Sequence, residues 1–433
     1  MRFFIPWIGL LALSNVYAAE LFTRESIARY LTVENPFVYT AVGQKYIYKE
    51  KEKYQLGNFD TNLGVKYDKK DYPISEAEFF SAGIEKPIEN GMEFSLSYRR
   101  AEGTQEYNNI KTGDDGEVLL GVKIPVFAVA NNTNKRKLGL DSSRLDTRKM
   151  DYKAQDNLRL LYSKIITSYY ELLFHHENKA LVKKLLDKAR HRVSIIKKRV
   201  DAGSLPKIAL LEANQQVLNR EQRLLVTRNQ YENVLRSFLQ YLNIDVGYFN
   251  QTYTLPLLSD LQESDIPEEV SFEKALENRP DLKVYANEIK KLDLENAFTS
   301  ISKYPNLDIG VYGVHDLEYE NGFKITLGMD FPLERRKYTG KSLEIKKSIK
   351  NVQKHKEQQI ITIKTELQII QNSLDALLRN IENSEREVDL VQKLEDAEEK
   401  KYMLGSGNLF MLNQREIYTL EVRKKLLQYN LDY

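Results

Sequence analysis

The sequence predicts a mainly α protein with a membrane β part, and three observations carry that expectation. Two runs of more than sixty residues lack Gly and Pro and space their apolar residues by three and four. Several segments of nine to eleven residues alternate apolar and polar side chains instead. Both features recur, in the same order, in each half of the chain.

The chain opens with Arg2, an apolar run over 3–13 and small residues around Ala18 and Ala19, the pattern of a secretory signal peptide over 1–18, cleaved after Ala18. That run is too short to span a bilayer as a helix, and no later stretch offers ~18 uninterrupted apolar residues. The 433 residues include 29% charged side chains with a formal net charge of +2. Both signs are interspersed, so much of the chain is surface and no nucleic-acid partner is expected. There is no cysteine, which removes disulfides, thiolate metal sites, thiol nucleophiles and a lipid-modified N-terminal cysteine.

After a short helix near 21–31 and a longer one begun by ENPFVYTA, the period changes to two. Phe59, Thr61, Leu63, Val65 and Tyr67 alternate with Asn58, Asp60, Asn62, Lys66 and Asp68. The same alternation places Met92, Phe94, Leu96 and Tyr98 on one face, then Val118, Leu120, Val122, Ile124 and Val126, and later Phe323, Ile325, Leu327, Met329 and Phe331. NLDIGVYGVHD, from Asn306, is a looser fifth strand. Such strands suit a half-solvated sheet in water or a barrel wall in lipid, and the pattern alone does not separate the two. The combination with a secreted chain, bilayer-spanning strand lengths and tyrosines near the strand ends favours lipid. Asp60, Lys66, Glu93, Lys123, Lys324 and Asp330 then face a wet lumen.

The Gly- and Pro-free runs cover 140–202 and 341–404, each read as one long helix. The heptad seam of the second is Leu367, Ile370, Leu374, Leu377, Ile381, Ser384, Val388 and Val391. Each run stops at a glycine, Gly203 or Gly405, that can take the left-handed conformation ending a helix; Pro206 sits where a new helix tolerates it. Helix stops alone explain these turns as well as any contact role does.

ENPFVYTA matches NRPDLKVYA, NFDTNLGV matches NLDIGV, and KIPVF matches MDFPL. Pro36 and Pro280 are 244 positions apart, Pro125 and Pro332 only 207, so the first half carries an insertion of 37 residues. It lies within 69–116 and contains a hairpin candidate, FFSAGIEKPIE and MEFSLSYRR, with Asn90 and Gly91 as its tight turn. The resulting map is a first repeat over 19–244 with a helical hairpin over 138–243, a linker over 245–271, and a second repeat over 272–433. The second repeat holds a β-hairpin over 306–331 and a helical hairpin over 341–433. Only 28 residues follow Gly405, so its last helix is shorter than the one at 205–243.

Taken together, the NPFV and RPDL starts, the KIPVF and MDFPL strand ends and the tip turns AGSLPKIALLEA and LGSGNLFMLNQ resemble the TolC-like outer-membrane efflux factors. The resemblance covers nearly all of the mature sequence. It implies a homotrimer with one shared outer-membrane β-barrel, a long periplasmic α-barrel of coiled coils and two structural repeats per chain. The implied function is a passive exit duct in the outer membrane of a Gram-negative cell, extending into the periplasm. Its implied partners are a periplasmic adaptor (membrane fusion) protein, a proton-driven or ATP-driven inner-membrane pump, and outer-membrane lipid. Small-molecule or metal efflux is the expected traffic; a type I protein-secretion duct and a non-inserted periplasmic coiled-coil scaffold are the alternatives. Neighbouring genes would separate these cargo classes.

The resemblance assigns adaptor contact to the tips, Gly203, Ser204 and Leu205 in one hairpin and Gly405, Ser406, Gly407 and Asn408 in the other. In the family's best-known member, acidic residues six and nine positions past the second tip glycine ring the closed entrance. Here those positions are Met411 and Gln414, so an apolar and amide constriction is expected, with Glu212 the nearest carboxylate. No enzyme activity, cofactor or metal site is expected. The five histidines, His175, His176, His191, His315 and His355, lack metalloprotease spacing, and phosphate loops and a serine elbow are missing from the sequence.

Overall fold

A computed structural model describes residues 20–73, 75–103, 110–258, 272–331 and 333–433. The expected signal peptide, positions 259–271 of the linker and Pro332 lie outside the described residues. The first half runs β1 (Glu20–Leu21), α1 (Arg24–Ala28), α2 (Pro36–Leu56), β2 (Asn62–Tyr72), β3 (Ser75–Pro87), β4 (Glu93–Gly103), β5 (Glu117–Pro125), α3 (Val126–Ala130), α4 (Lys135–Asp201) and α5 (Lys207–Leu242). After α6 (Val246–Thr252) and β6 (Tyr253–Thr254), the second runs α7 (Phe272–Asn278), α8 (Pro280–Ile301), β7 (Asn306–Asp316), β8 (Asn321–Asp330), α9 (Arg336–Met403) and α10 (Leu409–Asp432). The chain divides into two units, Thr40–Leu158 with Ser271–Lys364, and Met1–Tyr39 with Arg159–Val270 and Thr365–Tyr433. No described helix is long and apolar enough to cross a membrane.

In the first of these units the six long strands form one antiparallel sheet in the order β2-β3-β4-β5-β7-β8. Register aligns the alternating side chains into a single apolar face: Leu63 sits opposite Ile84, Ile84 opposite Leu96, Leu96 opposite Leu120, and Val122 opposite Val311, itself opposite Ile325. That face is the open one. Leu63, Leu120 and the β8 set Phe323, Ile325, Leu327 and Met329 are all exposed, Phe323 at 79%. The other face is polar, with Glu117 and Leu119 of β5 buried and Arg99 paired to Glu117. Lys66, Glu93, Lys123, Lys324 and Asp330 lie on this polar side by register. Asp60 and Phe59 do not join it: Gly57–Phe59 is a 3₁₀ turn whose Gly57 carbonyl accepts from Asp60 N–H at 3.1 Å, so the strand begins only at Asn62.

The hairpin turn is one residue longer than Asn90 and Gly91 alone. Ile88 N–H donates to Met92 O at 3.0 Å and Gly91 N–H to Ile88 O at 2.9 Å, leaving three residues in the loop with Gly91 at φ 101°. This is the three-residue connection that ends on a left-handed glycine.

Polar bonds join the helices of this unit in a row. Lys45 of α2 meets Asp151 of α4 at 3.2 Å, Lys149 and Asp146 of α4 meet Glu288 and Lys291 of α8 at 2.7 and 2.8 Å, and Gln359 of α9 donates to Asp281 of α8 at 3.1 Å. Burial pushes the Asp146 carboxyl up, but its hydrogen bonds from Lys291 and Lys149 outweigh it and hold it below the usual range. Both long helices begin earlier than the Gly-free stretches, α4 running through Gly139 and α9 through Gly340. A helical glycine costs about 1 kcal/mol against alanine, too little to stop a helix this long. At Gly139 the missing side chain makes room for α2: a Cβ there would lie 2.9 Å from Gln55 Oε1.

The second unit is a helical bundle of α5, α10 and the remaining lengths of α4 and α9. Phe22, Ile27, Ile165, Tyr169, Phe238 and Phe249 form its largest apolar cluster, with Tyr169 Oη donating to Phe22 O at 2.9 Å. The N-terminal segment and the start of the linker pair with each other: β1 lies parallel to β6, and Tyr30 and Tyr253 hydroxyls are 2.7 Å apart. Of the predicted α9 seam, Ile381, Ser384 and Val391 are buried while Ile370 is exposed. The reason is the shortness of α10. Its Lys425 meets Glu387 of α9 at 3.2 Å, seven residues before it ends at Asp432, so Ile370 lies beyond its reach. On α5 a heptad stripe points to solvent: Leu211, Leu218 and Leu225 are 69%, 60% and 67% exposed.

Candidate functional site at the hairpin tips

Both hairpins turn by the same device. Gly203 takes φ 74°, its N–H donating to Val200 O at 3.0 Å while Ser204 N–H donates to Arg199 O at 2.8 Å. Gly405 takes φ 82°, with its N–H to Tyr402 O at 3.1 Å and Ser406 N–H to Lys401 O at 3.0 Å. These are Schellman motifs, which satisfy the last carbonyls of a helix and need a left-handed residue after it. The open space around each glycine would admit a side chain; the backbone angle disfavours one. Gly407 is required for a different reason, since a Cβ there would lie 2.5 Å from Tyr402 N. Asn408 caps α10 by accepting from Phe410 N–H at 2.8 Å, and Pro206 stands just before α5.

The structure brings the two tips together. Arg199 donates to Met403 O at 3.0 Å, lending a cation to the C-terminal carbonyls of α9. Below this link Ile196, Ala213, Tyr402 and Leu412 form one apolar cluster, into which Leu205 and Leu409 pack. Leu205 is therefore partly buried in the shared core, while Gly203, Ser204, Gly405, Ser406 and Asn408 are exposed. Around them Ile208, Leu211, Leu404 and Phe410 expose apolar side chains, Leu404 to 84%. The sequence reading passed over these four because helical periodicity assigns them no special place. Met411 and Gln414 are exposed on α10 and Glu212 on α5, each beside a buried neighbour, Leu412, Asn413 and Ala213 respectively.

Farther along the bundle lies a charged cluster the sequence reading did not find. Glu416 of α10 is fully buried between Arg192 of α4 and Arg220 of α5. Arg192 Nη1 donates to Asn413 Oδ1 at 3.1 Å and to Glu416 Oε2 at 3.0 Å; Arg220 Nη2 donates to the same two atoms at 3.1 and 2.7 Å. Arg220 Nη1 also donates to Leu185 O at 3.0 Å. Burial pushes the Glu416 carboxyl up, but the hydrogen bond and charge of Arg192, then those of Arg220, hold it below the usual carboxylate range. Nearby, Lys188 of α4 meets the buried Glu395 of α9 at 2.6 Å. The readable signal was a charge at a seam position, Glu416 standing four residues after the buried Leu412. Its arginines are 196 and 224 residues away in the chain. The cluster ties the two hairpins and offers no free nucleophile or base. Among the described residues no group of His, Asp and Glu is arranged to hold a metal ion.

Known structures share this arrangement of long paired helices with glycine tips and an antiparallel sheet apolar on its open face. The Campylobacter jejuni CmeC outer membrane channel matches all of this chain and 91% of its own, with 13% identity and a TM-score of 0.69. The outer membrane protein VceC of Vibrio cholerae matches 94% of this chain and 92% of its own, at 11% identity and a TM-score of 0.67. The open state of the Neisseria gonorrhoeae MtrE outer membrane channel matches 94% and 85%, at 11% identity and a TM-score of 0.61. No protein-family model matches the sequence, and no curated protein is similar to it. The chain has the fold of the TolC-like outer-membrane channels.

Proposed function

We propose that three copies of this chain close into the outer-membrane exit duct of a tripartite export system, conducting small molecules or metal ions passively from an inner-membrane pump and periplasmic adaptor to the exterior. One observation carries the reading. In the unit that holds the sheet, β2 and α2 end the sheet and the helical row on one side, and β8 and α9 end them on the other. Exposed apolar side chains mark both sides, Leu63 and Val65 with Tyr54, and Ile325 and Leu327 with Ile361. A single copy leaves two strand edges and two helix edges open; a ring in which one copy's β8 and α9 meet the next copy's β2 and α2 closes all four. The exposed α5 stripe gives the other unit a seam of its own. The number three comes from the likeness to TolC-like factors.

Membrane insertion follows from the sheet. A face apolar over strands of 9 to 13 residues, opposite a face carrying Lys66, Glu93 and Lys123, matches a barrel wall with lipid outside and water inside. The two halves are read as copies of one plan over 19–244 and 272–433. Adaptor helices dock on the exposed glycine tips with Ile208, Leu404 and Phe410 around them, and Met411 and Gln414 narrow the entrance. Fractionation tests the assignment: the mature protein stays with the outer membrane through osmotic shock and leaves only in detergent. Release by shock alone would instead fit a periplasmic scaffold.

A further inference from the structure

We infer that the membrane wall of this assembly has eighteen strands, six from each copy, because the β3–β4 hairpin is part of the wall and not an appendage. The inference rests on the trimeric duct reading and specifies which surfaces of a second copy it engages. The hairpin is paired along its whole length on both sides. β3 bonds β2 from Asn62 opposite Glu85 to Tyr72 opposite Ser75, and β4 bonds β3 from Ala77 opposite Gly103 to Pro87 opposite Glu93. β4 then bonds β5 through Phe94 opposite Val122 and Leu96 opposite Leu120. β2 meets β5 nowhere in this order, so removing the hairpin would leave a gap of two strands.

The faces agree with the pairing. Ile84 and Leu96 are exposed in the same apolar row as Leu63 and Leu120, while Phe79 and Ala77 are buried on the polar side. A hairpin projecting into water has no reason to carry this alternation in register with its neighbours. Its turn is also fixed at the helical end of the sheet, where Asn134, just before α4, donates to Glu89 O at 2.8 Å. Parity matters next. Six alternating strands leave β2 and β8 running in opposite directions, so β8 of one copy meets β2 of the next antiparallel, as closed barrels require.

Circumference gives an independent check. Strands about 4.8 Å apart and tilted about 40° make a wall of roughly 110 Å around with eighteen strands, and roughly 75 Å with twelve. Four helices of the same unit from each copy, at about 8–10 Å between axes, make a ring of roughly 95–120 Å. Eighteen strands fall within that range. Barrels of this size keep an aqueous channel.

An electron cryo-microscopy reconstruction of the full mature chain in lipid nanodiscs tests this by counting strands: eighteen wall strands around a three-fold axis are expected. A trimer with twelve wall strands and the hairpin outside overturns the inference and leaves the duct reading standing. A lone chain with an open sheet overturns both. The cysteine-free sequence permits a second measurement without refolding risk to the sheet as a whole. Nitroxides on I84C and L96C are expected to be relaxed by lipid-dissolved oxygen, and those on S81C and S95C by a water-soluble nickel chelate. Relaxation of all four by the chelate would remove the hairpin from the wall.

Discussion

The two units of this chain solve opposite problems with the same side chains. In the sheet the apolar residues are on the open face and a buried charge sits on the other; Leu120 is exposed while Glu117, three residues earlier, is buried against Arg99. In the bundle a core of leucines and aromatics turns inward, and the exposed faces are mostly Lys, Glu and Gln apart from the α5 leucine stripe and the tips. Hydropathy summed over the chain would miss this inversion, because it is a matter of which face each residue occupies. The bundle also buries charge, in the Arg192–Glu416–Arg220 cluster, which joins its hairpins alongside the apolar contacts and the Lys188–Glu395 and Arg223–Glu421 pairs.

Reversing the sheet's inversion should have the largest effect. L120R with I325R sets two cations on the apolar face, at about 2–4 kcal/mol each if that face meets the bilayer midplane. The expected result is loss of the alkali-resistant membrane fraction, whereas K66Q and K123Q on the polar face leave it unchanged. Equal behaviour of the two pairs would mean that both faces see water. In the bundle, E416A leaves two buried guanidinium groups without their carboxylate and should cost about 3–5 kcal/mol, read as a lower helical melting temperature. The charge-conserving E416D, which keeps a carboxylate at shorter reach, should lose less.

Acid should sharpen the contrast in two steps. His175 and His176 have their pKa values lowered, first by burial and then by nearby cations, Lys424 for the former against the opposing Glu171, and Lys179 for the latter. Groups held neutral in the fold contribute fully above the ordinary histidine value of 6.5 and lose that contribution as pH falls below it. Glu416, lowered in the fold, contributes fully above its ordinary value of 4.5 and loses it as pH falls through the lowered one. Thermal melts should therefore decline first below pH 6.5 and again below 4.5, the first decline vanishing in H175N/H176Q and the second shrinking in E416Q to the part carried by other lowered carboxyls such as Asp146. The smallest effect belongs to the tips. G203A or G405A places a side chain on a left-handed backbone in open space and should cost about 1–2 kcal/mol.

Much of this architecture is legible in the sequence, for local reasons. Long helices announce themselves by the lack of breakers over 140–202 and 341–404, and the strands by alternation, because both signals live within a few residues. Boundaries were less legible: Gly139 and Gly340 look like stops but lie inside helices, and Asp60 looks like strand but closes a 3₁₀ turn. Long-range partners were not legible at all. Nothing near Glu416 in the sequence names Arg192 or Arg220, and nothing near Ile84 says that its hairpin inserts between β2 and β5. The tip glycines stood out, yet the exposed Leu404 and Phe410 beside them needed coordinates, since a helix end looks the same whether its apolar residues pack or wait for a partner.

The central claim is that several copies enclose one water-filled axis. The mass of the detergent-solubilised mature protein, measured together with ion current after reconstitution into a planar bilayer, tests it most directly. Three chains per particle and discrete current steps, enlarged by M411A with Q414A, are what this account requires. A monodisperse single chain that carries no current would contradict it.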